Sequence, residues 1–321
     1  MSTNAPRTGR ALSFFSAATL AWMVLVILEG AVVRATSSGA GCGNHWPLCN
    51  GDFVPHHPRL ATIIEYTHRS MTGICTMLTF GMIAWVYRVF ASGSEQRRAA
   101  AWSGILLITE GALGAVLVKG GYVESNASNM RVFVQCIHFT NTMLLVAALT
   151  LTWWRVHKAA YGDVNTSLEA PASARPIAWL ALIATMATGA TGSVAALADT
   201  LFPAPSLRAG FAADFDPNSP LLIHMRWMHP VAAILSVACV AFFAARFRHT
   251  ASRWLMALAA LQIAFGVVDI LLLAPITMQV LHLLGADLYW IAMVIACSEA
   301  LRSTSSASRA QVVSTGPLTA S

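Results

Sequence analysis

Eight stretches of this sequence are each long and apolar enough to cross a lipid bilayer, and they constrain the fold more than any other feature. A helix needs about 20 apolar residues to span the hydrocarbon core of a bilayer. The stretches are residues 14–33, 62–89, 100–118, 132–154, 177–198, 222–243, 254–273 and 276–297. Hydrophobic residues make up 56% of the chain and charged residues 11%, which excludes a soluble globular domain of this length. We therefore predict an all-α integral membrane protein with eight transmembrane helices.

The distribution of basic residues predicts the orientation of these spans, because Lys and Arg are retained on the cytoplasmic side. One set of loops, together with both termini, holds Arg7, Arg10, Arg88, Arg97, Arg98, Arg155, Lys158, Arg175, Arg246, Arg248, Arg253, Arg302 and Arg309. The opposite set holds only Arg34, Arg59, Lys119, Arg131, Arg208 and Arg226. Both termini are therefore expected in the cytoplasm. The net charge of +6 follows from this topology, and no nucleic-acid partner is predicted, since no basic stripe is interleaved with aromatic residues.

The two halves of the chain resemble each other. Span four contains VQCIH and span eight contains MQVLH, while span two contains EYTH and span six contains RWMH. The corresponding residues are Glu65 with Arg226, His68 with His229, Gln135 with Gln279, and His138 with His282. These matches predict an internal duplication, with two tandem four-helix bundles related by pseudo-twofold symmetry. We expect residues 1–157 and 176–321 to form the bundles, joined by a polar cytoplasmic linker at residues 158–175.

Four histidines lie inside the even-numbered spans, where an ionisable side chain is rare. They are His68, His138, His229 and His282. Each falls about six to nine positions after its helix begins, and at a rise of 1.5 Å per residue all four lie roughly 10 to 13 Å below the outer boundary. Two imidazoles at one depth on facing helices suit axial ligation of a haem iron, whereas zinc would require further Cys or carboxylate ligands. The pattern predicts one haem site in each half.

Glu65 distinguishes the first half from the second. It precedes His68 by three residues and so lies on the same helix face. A carboxyl group at this depth costs about 2.5 to 3.5 kcal/mol, which makes it a functional candidate; orienting His68 or pairing with Arg69 is the structural alternative. The second half has Arg226 at the corresponding place, a cation suited to a haem propionate. We infer that the first pocket performs chemistry and that the second holds a fixed cofactor that moves electrons.

The first outer loop contains the sequence CGNHWPLC. On the predicted orientation it faces an oxidising compartment, where Cys42 and Cys49 can pair. A disulfide closing so short a loop contributes roughly 2 to 3 kcal/mol on the chain-entropy account. A structural staple and a redox-active pair are both compatible with this spacing.

With EGAVVRATSSGAGCGNHWPLCNG, EYTHRSMTG and QCIHF together, the chain resembles the haem A synthase family over about residues 14–299. The resemblance implies that haem O is oxidised at a ring methyl group to a formyl group in the first half, while haem b is held in the second. It implies the following roles: His68 and His138 as ligands of the substrate haem, Glu65 as the catalytic carboxylate, His229 and His282 as ligands of haem b, Arg69 and Arg226 as candidates for propionate binding, and Cys42 and Cys49 as a disulfide near the substrate pocket. Pro230 departs from the family, which often has Arg after the second-half histidine.

A second class of function fits the histidine pattern equally well. A dihaem b-type membrane cytochrome would pass electrons between a quinol and a partner protein without changing the porphyrin. Glu65 and the difference between the halves favour the enzyme, a membrane oxidoreductase. The resemblance further implies a multi-pass protein in contact with lipid, in the bacterial cell membrane or, as the less favoured alternative, the mitochondrial inner membrane. It also implies haem O synthase and cytochrome oxidase assembly factors as partners. It names no electron acceptor.

Overall fold

The chain folds into helices joined by short loops, and the computed structural model describes residues 5–162, 174–247 and 250–314. The helices are α1 (Ala5–Ala35), α2 (Leu60–Val89), α3 (Glu95–Lys119), α4 (Asn129–Tyr161), α5 (Ala174–Leu201), α6 (Leu207–Phe215), α7 (Leu221–His224), α8 (Met228–Arg246), α9 (Thr250–Leu271) and α10 (Ile276–Ser314). Eight spans among the described residues are long and apolar enough to cross a membrane, with α7 and α8 together forming one of them. The predicted all-α fold with eight spans is confirmed. Residues 163–173 of the predicted linker lie outside the described residues.

The spans pack in two rings of four helices. In the first ring α1 contacts α2, α2 contacts α3, α3 contacts α4, and α4 contacts α1. In the second ring α5 contacts α8, α8 contacts α9, α9 contacts α10, and α10 contacts α5. Helices α1, α4, α5 and α10 also contact one another across the two rings. The duplication and the orientation of the termini stay predictions.

Several of the fully buried side chains belong to helices that meet where the two rings join. Leu145 and Leu149 of α4 and Met293 of α10 belong to one cluster of buried residues. Trp290 of α10 adds a hydrogen bond across this junction, from its indole Nε1 to the carbonyl oxygen of Met143 at 2.8 Å. Because lipid is as apolar as these side chains, close packing and interhelical hydrogen bonds hold such helices together.

The sixth span is broken just before its histidine, although the sequence predicts one continuous helix over residues 222–243. Helix α7 ends at His224 and α8 begins at Met228. Pro230 explains the break, because a proline has no N–H to donate to the carbonyl group four residues earlier and its ring clashes with that carbonyl. The carbonyl oxygen of Arg226 instead accepts a turn-type bond from the backbone N–H of His229 at 3.2 Å.

Candidate functional site

A cavity of about 1570 Å³ runs through both rings of helices. It is larger than the 300 to 1,000 Å³ typical of a pocket for one small molecule. Most of its lining is aliphatic or aromatic. The polar side chains that line it include all four of the histidines predicted from the sequence, and Glu65.

The four histidines lie at similar positions along their spans. His68 follows Leu60 by eight residues, His138 follows Asn129 by nine, His229 follows Leu221 by eight, and His282 follows Ile276 by six. For α4 this depth is fixed by Ser128, whose side chain accepts a hydrogen bond from the backbone N–H of Arg131 and caps the helix at its first turn. The spacing of six to nine residues from the start of each span that the sequence predicts is present in the structure, and a common depth in a membrane stays a prediction.

Each histidine ring faces a glycine on the preceding span. A Cβ atom added to the glycine would lie 3.1 Å from Cε1 for Gly30 with His68, 4.0 Å for Gly114 with His138, 2.9 Å for Gly192 with His229, and 3.1 Å for Gly266 with His282. Contacts of 3.0 to 3.4 Å are tighter than those of almost all real Cβ atoms, so a side chain at three of these positions would displace the ring. The glycines therefore let the imidazoles lie close to the neighbouring helix backbone.

The second-half histidines are placed as a ligand pair for one metal ion. The ring centres of His229 and His282 are 6.3 Å apart. Two imidazoles that each bound one metal ion through nitrogen at about 2 Å would have ring centres roughly 6 Å apart. The Nδ1 atom of His229 lies 3.1 Å from the carbonyl oxygen of Thr188, which leaves Nε2 free for the metal. These residues fit a haem.

The first-half histidines both line the cavity but differ in their surroundings. The Nδ1 atom of His68 is buried and has no hydrogen-bond partner among the described residues. The Nδ1 atom of His138 is also buried without a hydrogen-bond partner among the described residues, but Oε1 of Glu110 lies 3.5 Å from it. A second polar partner for a ligand histidine is common in metal sites, because it fixes the orientation of the ring.

Glu65 is buried, with 3% of its surface exposed, and its carboxylate accepts hydrogen bonds from two directions. Oε2 accepts from the backbone N–H of Cys42 at 2.7 Å. Oε1 accepts from the guanidinium of Arg69, from Nε at 3.1 Å and from Nη2 at 2.5 Å. Glu65 lines the cavity, as a functional carboxylate would, and it also pairs with Arg69, as the structural alternative predicts.

The outer loop is fixed to the start of α2 by the same group of contacts. Nη1 of Arg69 donates to the carbonyl oxygens of His45 and Leu48, each at 2.5 Å. The hydroxyl of Thr62 donates to the carbonyl oxygen of Gly41 at 2.8 Å. A Cβ atom at Gly41 would lie 2.4 Å from the backbone of α2, so only glycine fits this approach.

The predicted disulfide between Cys42 and Cys49 is present and closes the outer loop. Trp46 and Pro47, inside the disulfide-bonded segment, line the cavity. The loop therefore forms part of the cavity wall, to which Glu65 also contributes.

Both arginines predicted as propionate ligands already have protein partners. Arg69 holds Glu65 and the outer loop. Arg226 lies in the break between α7 and α8, and it forms ion pairs with Asp199 at 3.1 Å and with Asp214 at 2.8 Å. Both line the cavity, and their binding to propionates stays a prediction.

The structure adds six residues to the site to which the sequence pattern assigns no role. They are the four glycines, Glu110 and Gln262. Gln262 lies in α9, with Nε2 at 3.1 Å from Nδ1 of His282 and 2.8 Å from the His282 carbonyl oxygen. A shared spacing in the sequence does mark Glu110 and Gln262. Each of them precedes by four residues the glycine that faces the histidine of the next span.

The donor set suits a haem better than a bare metal ion. Among the residues that the structure describes, no three or more His, Cys, Asp and Glu side chains are grouped to hold a metal. A porphyrin supplies four nitrogens, so two histidines per iron suffice. Fold and site together define a multi-pass membrane protein whose cavity and histidines suit a haem.

The chain belongs to the haem A synthase family. The sequence profile of the COX15-CtaA family, described as cytochrome oxidase assembly protein, matches residues 13–294. Two proteins named heme A synthase, from Geobacillus kaustophilus and Halalkalibacterium halodurans, are each 34% identical over 142 residues. These matches cover 44% of this chain, and 42% and 45% of the two relatives.

A longer match joins the chain to a protein from Thermus thermophilus named protoheme IX farnesyltransferase. The two are 36% identical over 299 residues, which is 90% of this chain and 48% of the Thermus protein. The chain thus spans about half the length of the curated relatives it matches.

Proposed function

We propose that this protein is a haem A synthase, which oxidises a methyl group of haem O to a formyl group to give haem A. The observation that carries the proposal is a single, mostly apolar cavity lined by four histidines at similar positions along their spans, with the buried carboxylate of Glu65 three residues before His68 of the first pair. Membership of the haem A synthase family supports it. The matching relatives with that name support it as well.

The substrate haem is proposed to bind in the first half, between His68 and His138. The outer loop would cover this site, since Trp46 and Pro47 line the same cavity. Covering the site excludes water except what the reaction uses, and it strengthens every electrostatic interaction within the cavity. The apolar lining suits a porphyrin with a long hydrocarbon tail.

Glu65 is the proposed general base of the reaction. Oxidation of the ring methyl group makes its carbon electrophilic, and a base close by takes a proton from the water that adds there. A second round gives a hydrated aldehyde, which loses water to leave the formyl group. The electrons pass to an external acceptor, and the protons leave through the carboxylate, which Arg69 and the Cys42 amide hold in place.

In the second half His229 and His282 are proposed to hold haem b as a resident cofactor. When bound, haem b supplies one-electron transfer. The chain's own contribution is to orient the two rings, through the carbonyl of Thr188 and the amide of Gln262. Asp199 and Asp214 hold Arg226 at the outer end of the same cavity.

We further propose that the two rings of helices are a tandem duplication with both termini in the cytoplasm of a bacterium. The basic residues support this orientation, and the outer loop with its disulfide then faces an oxidising compartment. Haem O would come from a haem-farnesylating enzyme. The relative named protoheme IX farnesyltransferase, which contains a segment similar to 90% of this chain, supports such a partnership.

Pigment analysis tests the proposal most directly. The protein is expressed with a supply of haem O, and the extracted haems are separated by chromatography. We expect haem A from the unaltered protein, and one haem fewer per protein from His229→Ala or His282→Ala. If the extract contains only haem b, with two haems per protein, the dihaem cytochrome is the better description.

A Glu65→Gln variant tests the catalytic carboxylate. The amide keeps the shape of the side chain and an oxygen that can accept from Cys42, so the variant should still bind haem. We expect it to accumulate haem O or a hydroxylated intermediate. Thr62→Val is the matched control, because it removes a bond between α2 and the outer loop without touching Glu65. A normal yield of haem A from Glu65→Gln would reject the assignment.

A further inference from the structure

The histidines of α4 and α10 each have a polar side chain within 3.5 Å of Nδ1, and the two side chains differ in charge. Oε1 of Glu110 lies 3.5 Å from Nδ1 of His138. Nε2 of Gln262 lies 3.1 Å from Nδ1 of His282. Either end of the Gln262 amide is neutral, so the first half offers a carboxylate where the second offers an uncharged group.

The two pairs occupy corresponding places in the fold. Glu110 precedes Gly114 by four residues in α3, and Gln262 precedes Gly266 by four residues in α9. Each of these glycines faces the same histidine ring that its neighbouring polar residue approaches. The same local arrangement is therefore built twice, with one change of side chain.

The carboxylate of Glu110 is held firmly beside His138. Oε2 accepts from Nδ2 of Asn141 at 2.6 Å, and Oε1 accepts from the hydroxyl of Thr142. Asn141 also donates to the carbonyl oxygen of Leu106, which ties this group to α3. The group is anchored on both helices, so its distance to the imidazole is set by the fold.

A carboxylate at the Nδ1–H of a ligand imidazole makes the other nitrogen a stronger donor, and a negative charge nearby favours the more positive state of a bound metal. A neutral amide has a much smaller effect on both the donor strength of the imidazole and the oxidation state of the metal. We infer that Glu110 is the positioning residue of His138, and that the exchange of Glu110 for Gln262 makes the first haem site easier to oxidise than the second. This inference rests on the haem ligation proposed above.

Reciprocal substitutions test it on the full-length protein reconstituted with haem. Glu110→Gln should raise the midpoint potential of the first-half haem, and Gln262→Glu should lower that of the second-half haem. A tenfold change in the ratio of affinities for the two oxidation states corresponds to about 59 mV for one electron. The ferric low-spin electron paramagnetic resonance signal of each haem should change with its own substitution only.

Glu299→Gln serves as the matched control, because its carboxylate bonds Trp154 and Lys158 rather than a histidine. It should leave both potentials unchanged. If Glu110→Gln and Gln262→Glu bind haem with unaltered potentials and spectra, the inference is wrong while the ligand assignment stands. If His138→Ala keeps its full complement of haem, the ligation proposal itself fails.

Discussion

At the scale of single residues, the site depends on the glycine beside each histidine, which has no side chain, as much as on the histidine itself. At Gly30, Gly192 and Gly266 an added Cβ would lie 2.9 to 3.1 Å from a ring atom, so the ring would have to shift to admit it. Ligand groups held within about 0.5 Å of their productive position keep their function, and larger shifts lose it. The glycines therefore set where the imidazoles can be.

Gly192→Ala is expected to weaken haem binding in the second half. The added methyl group would lie 2.9 Å from Cε1 of His229, so the ring must move away from Gly192. We expect binding weaker by about 10- to 100-fold, the range for losing a group that orients a metal ligand. Titration of the haem-free protein with haem, followed by its absorption spectrum, measures this.

Gly81→Ala is the control for that substitution. It also lies within a span, but the nearest atom to its added Cβ belongs to Phe15 at 3.8 Å, an ordinary contact. Alanine in a helix should stabilise this variant by about 0.5 to 1 kcal/mol, with haem binding unaltered. Equal haem affinity in Gly192→Ala and Gly81→Ala would contradict the role given to Gly192.

The site residues with ionisable side chains could be predicted from the sequence, whereas the small or neutral site residues beside them could not. The histidines and Glu65 are identified because ionisable groups within apolar spans are rare. Gly192 and Gln262 carry no such signal, since neither side chain is ionisable. Their roles depend on which helix lies opposite, which a single sequence does not state.

At the scale of elements, the outer loop and the start of α2 behave as one unit. Cys42, Gly41 and the segment around His45 are all bonded to side chains of α2. The disulfide closes this loop, and Glu65 ties it to the helix that carries His68. A change in the loop is therefore transmitted directly to the candidate catalytic carboxylate.

Replacing Cys42 and Cys49 together by serine should lower the free energy of unfolding by roughly 2 to 3 kcal/mol, because the open loop has more conformational freedom in the unfolded chain. Thermal unfolding of the protein in detergent measures the loss. Cys239→Ser, at a half-buried free cysteine, should leave the unfolding temperature nearly unchanged. Stability that is equal in the double variant and in Cys239→Ser would show that the disulfide is not a staple.

The spans themselves were predictable from the sequence, but the break in the sixth was not. Apolar composition identifies a membrane helix whether or not it is continuous. The effect of Pro230 depends on its position in the helix, because a proline in the first turn is tolerated and one further along is disruptive. Here α8 begins so that Pro230 lies in its first turn, and Arg226 is left outside the helix.

At the scale of the whole molecule, Arg34 connects the first ring of helices to the second. Its Nη1 donates to the carbonyl oxygen of Ala196 at 2.6 Å and to the hydroxyl of Thr200 at 2.5 Å. Its Nη2 donates to Oε1 of Gln279 at 2.8 Å. One side chain of α1 thus joins α5 and α10. The histidine pairing could be predicted from sequence comparison of the halves, but this connection could not, since Arg34 has no counterpart in the second half.

Arg34→Gln should destabilise the junction between the rings. Hydrogen bonds to a charged group contribute about 1.5 to 3 kcal/mol each, and the shorter amide cannot reach all three acceptors. We expect a lower unfolding temperature in detergent and faster proteolysis of the loops. Arg59→Gln, at an exposed arginine of the same outer side, is the control. Unfolding temperatures that match in the two variants would exclude a joining role for Arg34.

The cavity is lined by residues of both rings of helices, so a molecule bound there would contact both. A ligand that binds there stabilises the folded chain by mass action, and the stabilisation grows with the logarithm of the free ligand concentration above the dissociation constant. Quality control in the cell degrades chains that open too often. The steady-state amount of this protein should therefore rise and fall with the supply of porphyrin, so that the cell accumulates it chiefly when porphyrin is available to bind.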